Sequence, residues 1–333
     1  MRRCAWLAAV ATVTLLSGCG RGSGGSSSGP AISIASPKDG DSVNSSSVWI
    51  DVHVAGVTLD GSDIGGVDVA GHAHYHVYVD GNAVGDSADP KFLVTRLAPG
   101  AHEISVRLFQ NDEQPVAGAQ PSQVSITIPA DAPSVAIQLP DDGASNEASA
   151  AELTLGWQNF VPGYWYAFVD SVAGNPVTIS SDATDVVPRL TPGWHDLYVG
   201  LHHGDGTEYD PPVLDDIRVQ IPADARTIQI VSPADGATVN QSPTLTVKAT
   251  NFTIDGDMAG GPADPNERIG HYHVYVDGYD SHDMWQEGYE TTIVLDHIPT
   301  GDHDIYVRLM NNDHTSIDPK PVDRIHVHVN PGD

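Results

Sequence analysis

The feature that most constrains the fold of this 333-residue chain is that it repeats itself three times. The copies open on Ser36-Pro37-Lys38-Asp39-Gly40, Leu139-Pro140-Asp141-Asp142-Gly143 and Ser232-Pro233-Ala234-Asp235-Gly236. Each has a middle apolar run ending in Asp: His76-Val77-Tyr78-Val79-Asp80, Tyr166-Ala167-Phe168-Val169-Asp170 and His273-Val274-Tyr275-Val276-Asp277. A turn and a second run follow, beginning Pro99-Gly100-Ala101-His102, Pro192-Gly193-Trp194-His195 and Thr300-Gly301-Asp302-His303. A short alternating run closes each copy, at 124–128, 217–221 and 325–329. Pro129-Ala130-Asp131-Ala132 and Pro222-Ala223-Asp224-Ala225 read as linkers between copies.

Within a copy, apolar residues alternate with a period of two, Gly, Pro, Asp and Asn punctuate the runs, and no segment has the 3.6-residue rhythm of an amphipathic helix. The expected fold is therefore all-β: three tandem immunoglobulin-like antiparallel β-sandwich domains over 32–129, 133–222 and 226–330. Trp165, with Tyr75 and Tyr272 in the equivalent places, takes the position of the buried central aromatic of such a sandwich. The only cysteines are Cys4 and Cys19, so a domain disulfide is ruled out, and the likeness is to bacterial surface sandwiches.

The first residues address the compartment. Arg2 and Arg3 precede an apolar run from Cys4 to Leu16, too short to span a bilayer, and then Leu16-Ser17-Gly18-Cys19. Small residues before a Cys resemble the lipobox of bacterial lipoproteins. That resemblance implies a signal peptide over 1–18, cleavage before Cys19, and lipidation of Cys19. The product would be a cell-envelope protein anchored to the membrane by its lipid, with Gly20 favouring the outer membrane in a Gram-negative cell. Residues 19–31, rich in Gly and Ser, are expected to form a flexible tether. The formal net charge of −29 excludes nucleic acid as a partner and keeps the chain soluble.

Strand periodicity sorts the histidines by face. In the first copy Tyr75, Val77 and Val79 share one face and His74, His76 and Tyr78 the other. The third copy sets Tyr272, Val274 and Val276 against His271, His273 and Tyr275. The aliphatic face must be core, so the His-x-His pairs are expected on the outer face, turned towards water. His102, His195 and His303 fall on core faces beside a turn, where a structural role bonded to backbone is expected. If the middle, Pro-Gly and closing strands are sheet neighbours, His271 and His273 come near the loop carrying Asp313 and His314. His326 and His328 are then expected on the same outer face. The corresponding set in the first copy is His74, His76, Asp112 and Glu113. Imidazoles two residues apart on a strand can reach one ion, and imidazole with carboxylate suits Zn or Cu better than Ca. The loops Asp60-Gly61-Ser62-Asp63 and Asp255-Gly256-Asp257 are weaker Ca candidates, explained as well by turn chemistry. The second copy, with Tyr164, Tyr166 and Phe168 in these places, should lack the site and suggests a contact or sugar-stacking platform.

Gly270-His271-Tyr272-His273, the strand to Asp277, Gly301-Asp302-His303, Asn312-Asp313-His314 and Asp318-Pro319-Lys320-Pro321 together resemble an exported bacterial domain family of unassigned function. The third copy fits over its length, the first less well, and the second departs most. The resemblance implies fold and export. There is no His-Glu-x-x-His, phosphate loop or dinucleotide fingerprint, and no catalytic residue is nominated. The expectation is a non-enzymatic envelope binding protein holding a transition metal on domains 3 and 1. The alternative is an adhesive or scaffolding lipoprotein contacting protein or glycan, with structural or solvated histidines.

Overall fold

The computed structural model describes residues 29–331, apart from 63, 162, 257–259, 262–267 and 279–283. The leader and Cys19 lie outside the described residues. So does most of the tether. Among the described residues, no helix is long and apolar enough to cross a membrane.

The described elements are all strands, in three sandwiches. In the first, Ala31–Ser36, Val48–Ala55 and Lys91–Val94 form one sheet. The other sheet has six strands, ordered Asp41–Ser42, Ser122–Ile128 (the closing strand), Gly100–Phe109 (the long strand), His72–Val79 (the central strand) and Thr58–Leu59, with Asn82–Ser87 (the hairpin strand) on the central strand. In the second module the central, hairpin, long and closing strands are Tyr164–Val169, Thr178–Ser180, Gly193–His202 and Leu214–Ile221. In the third they are Ile269–Val276, Met284–Gly288, Gly301–Asn311 and Val322–Val329. The predicted neighbourhood of central, long and closing strands is present in all three.

Each opening strand shifts register at its Ser or Leu before Pro, and the chain then crosses to pair in parallel with the closing strand. Three separate cores result, one per module. Tyr75, Trp165 and Tyr272 are fully buried at their centres. Each points its polar tip at a backbone carbonyl on the opposite rim: Tyr75 to Asp89, Trp165 to Asp182, Tyr272 to Glu290. Burying such a ring stabilises a module by about 2–3 kcal/mol, provided its polar atom is satisfied.

The core-face histidines fold back onto the turn. His102 Nδ1 lies 2.7 Å from Asp80 and Nε2 2.7 Å from the Ala98 carbonyl. His195 repeats this with Asp170 and the carbonyl of Thr191, and His303 with Asp277. The strand-ending Asp sits in the left-handed region in all three copies, φ 50°, 61° and 61°. The Asp and His that recur in the three copies are thus one structural clasp. The linkers are tied down as well, since Asn159 donates to the Ala132 carbonyl and Asn251 to that of Ala225.

Candidate metal centre

The central strand of the third module carries His271 and His273 on the face away from the core. Gly270 lets the long strand come close: a Cβ there would meet the Met310 carbonyl oxygen at 2.0 Å. His271 pairs in register with Met310 and His273 with Arg308, so both lie beside the loop that follows the long strand. That loop is a tight turn in which Asp313 Oδ1 accepts from the Thr315 N–H and hydroxyl, and His314 adopts φ 65°. The turn aims His314 back over the strand pair.

Three ring nitrogens meet there. His271 Nε2 is 3.0 Å from His273 Nε2 and 3.2 Å from His314 Nδ1, and His273 Nε2 is 3.4 Å from His314 Nδ1. Nitrogens bonded at 2.0–2.1 Å to a tetrahedral ion stand about 3.3–3.4 Å apart, so these three describe one face of such a tetrahedron. Neutral imidazoles alone suit the arrangement poorly. With one N–H on the triad two lone pairs face each other, and with two N–H groups those two collide. Glu287, on the hairpin strand opposite His273, brings a carboxylate oxygen to 3.6 Å from His314 and 3.9 Å from His273. Tyr289 donates to the other oxygen of Glu287.

Burial makes the set chemically ready for a cation. It pushes His273 down to about 4, assisted by the charge of His271 and opposed by Glu287. It also lowers His271, with His314 adding to the shift. Glu287 is held below its ordinary range, chiefly by the Tyr289 hydroxyl. Neutral imidazoles and an ionised carboxylate are the forms that ligate.

The first module builds the same place with a different donor set. His74 Nε2 and His76 Nε2 are 3.0 Å apart, and Glu113 reaches them at 3.7 and 3.2 Å. Glu113 occupies the turn position of His314, at φ 66°. Asp86 stands opposite His76 as Glu287 stands opposite His273, and its Oδ2 is buried without a hydrogen-bond partner. Phe109 stacks on His76 at 4.0 Å. Burial lowers His74, opposed mainly by Glu113. These two clusters are the groups of three that could hold an ion among the described residues.

Several expected site residues fall elsewhere. His271, His273 and His74 are not turned to water: they lie on the outer face, but loop and hairpin strand cover them, leaving His271 and His74 fully buried. His326 and His328 are at the wrong end of the sheet. The closing strand is antiparallel to the long strand and pairs them with Asp304 and Asp302, roughly 20 Å along the strand from the residue facing His271. Their Nδ1 atoms bond to those same aspartates. Asp313 and Asp112 cap their turns, to Thr315 and Gln114, and do not join the clusters. Asp60 likewise serves Ser62 and His72, while Asp63 and Asp257 lie outside the described residues. Glu287 and Asp86 were missed in the sequence, where the hairpin after Asp80 or Asp277 offers no spacing that fixes which side chain crosses to the second histidine.

The second module shows the same frame without ligands. Its four equivalent positions are Tyr164, Tyr166, Gly206 and Ile179. Tyr166 stacks on His202 at 3.7 Å, and its hydroxyl lies 3.2 Å from where a Cβ on Gly206 would be, so the ring takes the third ligand's space. Phe168 is buried, which leaves Tyr164 as the exposed member of the expected platform.

No protein-family model and no curated protein matches the chain. Solved structures that match include fibronectin(III)-like modules of CbhA from Clostridium thermocellum, 16% identical with TM-score 0.22, covering 59% of this chain and 94% of that one. Another is SGBP-B of the Bacteroides ovatus mixed-linkage glucan utilization locus, in complex with a mixed-linkage heptasaccharide. It is 14% identical with TM-score 0.22, covering 90% and 70%. A third is Sidekick-1 immunoglobulin domains 1–4, 12% identical with TM-score 0.21, covering 91% and 74%.

Proposed function

We propose that this chain is an exported, lipid-anchored envelope protein whose sandwich modules serve binding rather than catalysis, and that its third and first modules each hold a divalent transition metal. The observation that carries the metal reading is the convergence of His271, His273 and His314 nitrogens at 3.0–3.4 Å, with Glu287 alongside. Three imidazoles and a carboxylate suit Zn or Cu(II) over Ca or Mg. The first site, with two imidazoles and Glu113, is the weaker of the two. Lipidation at Cys19 would hold the array at the membrane, and the acidic surface would favour cations near it.

The test is metal analysis of soluble chain beginning after Gly29, purified without chelator, followed by zinc titration. Two zinc equivalents per chain are expected. A chain that retains none and shows no affinity in titration overturns the reading.

A second reading, contact with protein or glycan through the middle module, is supported by Tyr164 and Ile179, both over 40% exposed on the outer face. Loss of binding to cell-wall material on Tyr164→Ala with Tyr166→Ala would support it, and unchanged binding would remove it.

A further inference from the structure

The middle module has no metal ligand at the equivalent place, yet it is packed against the strand that carries the ligands in the third. The boundary between modules two and three is a built joint. Arg189, in the left-handed region at φ 61°, forks onto Asp323 at 2.8 and 3.1 Å. Asp323 is fully buried and also accepts the Ile230 N–H. Arg324 reaches Asp185 at 3.6 Å, and Lys320 reaches Glu152 at 2.6 Å. Between these ion pairs lies a small apolar cluster of its own: Ala150 and Val186 from the middle module, Tyr275, Tyr306 and Val322 from the third.

Tyr275 links this cluster to the histidines. It follows His273 by two residues, so it shares the outer face. Its ring is fully buried beneath the middle module, with the Arg308 guanidinium over it at 5.2 Å. Its hydroxyl lies 3.3 Å from His273 Nδ1. A histidine that ligates through Nε2 needs its proton on Nδ1, and an acceptor there fixes both tautomer and ring angle. The Tyr275 oxygen is such an acceptor. In the first module, which no module precedes among the described residues, Tyr78 is only half-buried and no hydrogen bond joins it to His76.

We infer that the middle module is the positioning element of the third module's metal site: by burying Tyr275 against Ala150 and Val186 it sets the Tyr275 hydroxyl on His273 Nδ1 and so presents His273 Nε2 to the ion. This rests on the metal reading above. It gives the ligand-free copy a role that its own surface does not show. It also makes Tyr275 a positioning residue for a site to which it donates no ligand atom.

The experiment uses the full three-module chain in two backgrounds. His74→Ala with His76→Ala leaves only the third-module site, and His271→Ala with His273→Ala leaves only the first. Into each, Tyr275→Phe and, separately, Val186→Ala are introduced. Zinc affinity and the cobalt(II) visible spectrum are then measured. Tyr275→Phe keeps the ring and removes the hydroxyl, while Val186→Ala loosens the packing without changing any residue of the third module. Both should weaken zinc at the third-module site about tenfold and alter its cobalt(II) band intensities, a change that loss of packing alone would not produce in the phenylalanine variant. The first-module site should not change. Unchanged third-module affinity and spectra in the phenylalanine variant would overturn the proposal even with zinc bound, whatever Val186→Ala does. So would an equal loss at both sites. If the parent third-module site takes no zinc, the metal reading falls first and this inference with it.

Discussion

The first and third modules place a histidine pair on the same strand, under the same loop, and differ in what completes the set. At the turn, His314 and Glu113 share a backbone conformation, φ 65° and 66°, so one side chain exchanges a nitrogen donor for an oxygen donor with no change of frame. On the hairpin strand, Glu287 reaches within 4 Å of two imidazoles, while the shorter Asp86 stands opposite His76 outside salt-bridge range of it. Behind the second histidine, the third module offers a buried tyrosine hydroxyl, the first a stacked Phe109. The middle module, with Gly206 and two tyrosines at the same points, keeps the same frame with no ligand set. The sandwich supplies a location, and a handful of loop and edge residues decide whether it is a site.

The contrast can be broken most directly by deleting the ligands of one module. His271→Ala with His273→Ala should abolish zinc at the third module, more than about a 100-fold loss, and leave one equivalent at the first. Metal analysis of the purified chain checks this, and loss of both equivalents would mean the modules do not bind independently.

Next in size is the joint between consecutive modules. Arg189→Ala strands the buried Asp323 carboxylate, and Arg96→Ala does the same to Asp215, which Arg96 grips at 2.9–3.0 Å. Each should cost roughly 3 kcal/mol, read from urea unfolding of the whole chain. Ser122, which accepts the Ile34 N–H where Asp215 and Asp323 accept theirs, should tolerate alanine far better.

The pH response should follow burial. His273 is depressed to about 4 in the folded chain against about 6.5 unfolded, so the unfolded state binds more protons between these values. The contribution of His273 to metal-free stability is therefore complete above about pH 6.5 and is lost as pH falls towards 4, by on the order of 3 kcal/mol. Urea midpoints at pH 7.5 and 5 give the measurement, and His273→Gln should flatten the difference.

The smallest effect sharpens the contrast from the other side. Glu113→His gives the first module the third's nitrogen set at an already compatible φ. Its affinity for Cu(II) or zinc should rise about tenfold, by isothermal titration in the His271→Ala, His273→Ala background.

Much of this was legible in the residues. Period-two alternation identified the strands, because one face of each packs on its module's core, and it put Tyr75, Trp165 and Tyr272 in the cores correctly. It also put His74, His76, His271 and His273 off the core face. The turn loop and Glu113 or His314 followed from antiparallel order. The errors have one source. A strand's face says which way a side chain points and not what lies above it or how far along the sheet it stands. Hence His271 was expected in water and is buried, and His326 was expected nearby and lies at the far end, where the register pairs it with Asp304.

Repetition, strand rhythm and turn residues are local properties, and they alone determined three β-sandwiches with a histidine pair on the outer face of the first and third. Ligand sets are not local. Glu287 joins His273 by cross-strand register, and His314 by a left-handed turn. Tyr275 is oriented by a neighbouring module contributing Ala150 and Val186, 125 and 89 residues earlier in the sequence. Only the packed chain decided these, because coordination requires atoms within a few ångströms in space and sequence spacing fixes such distances only within one element.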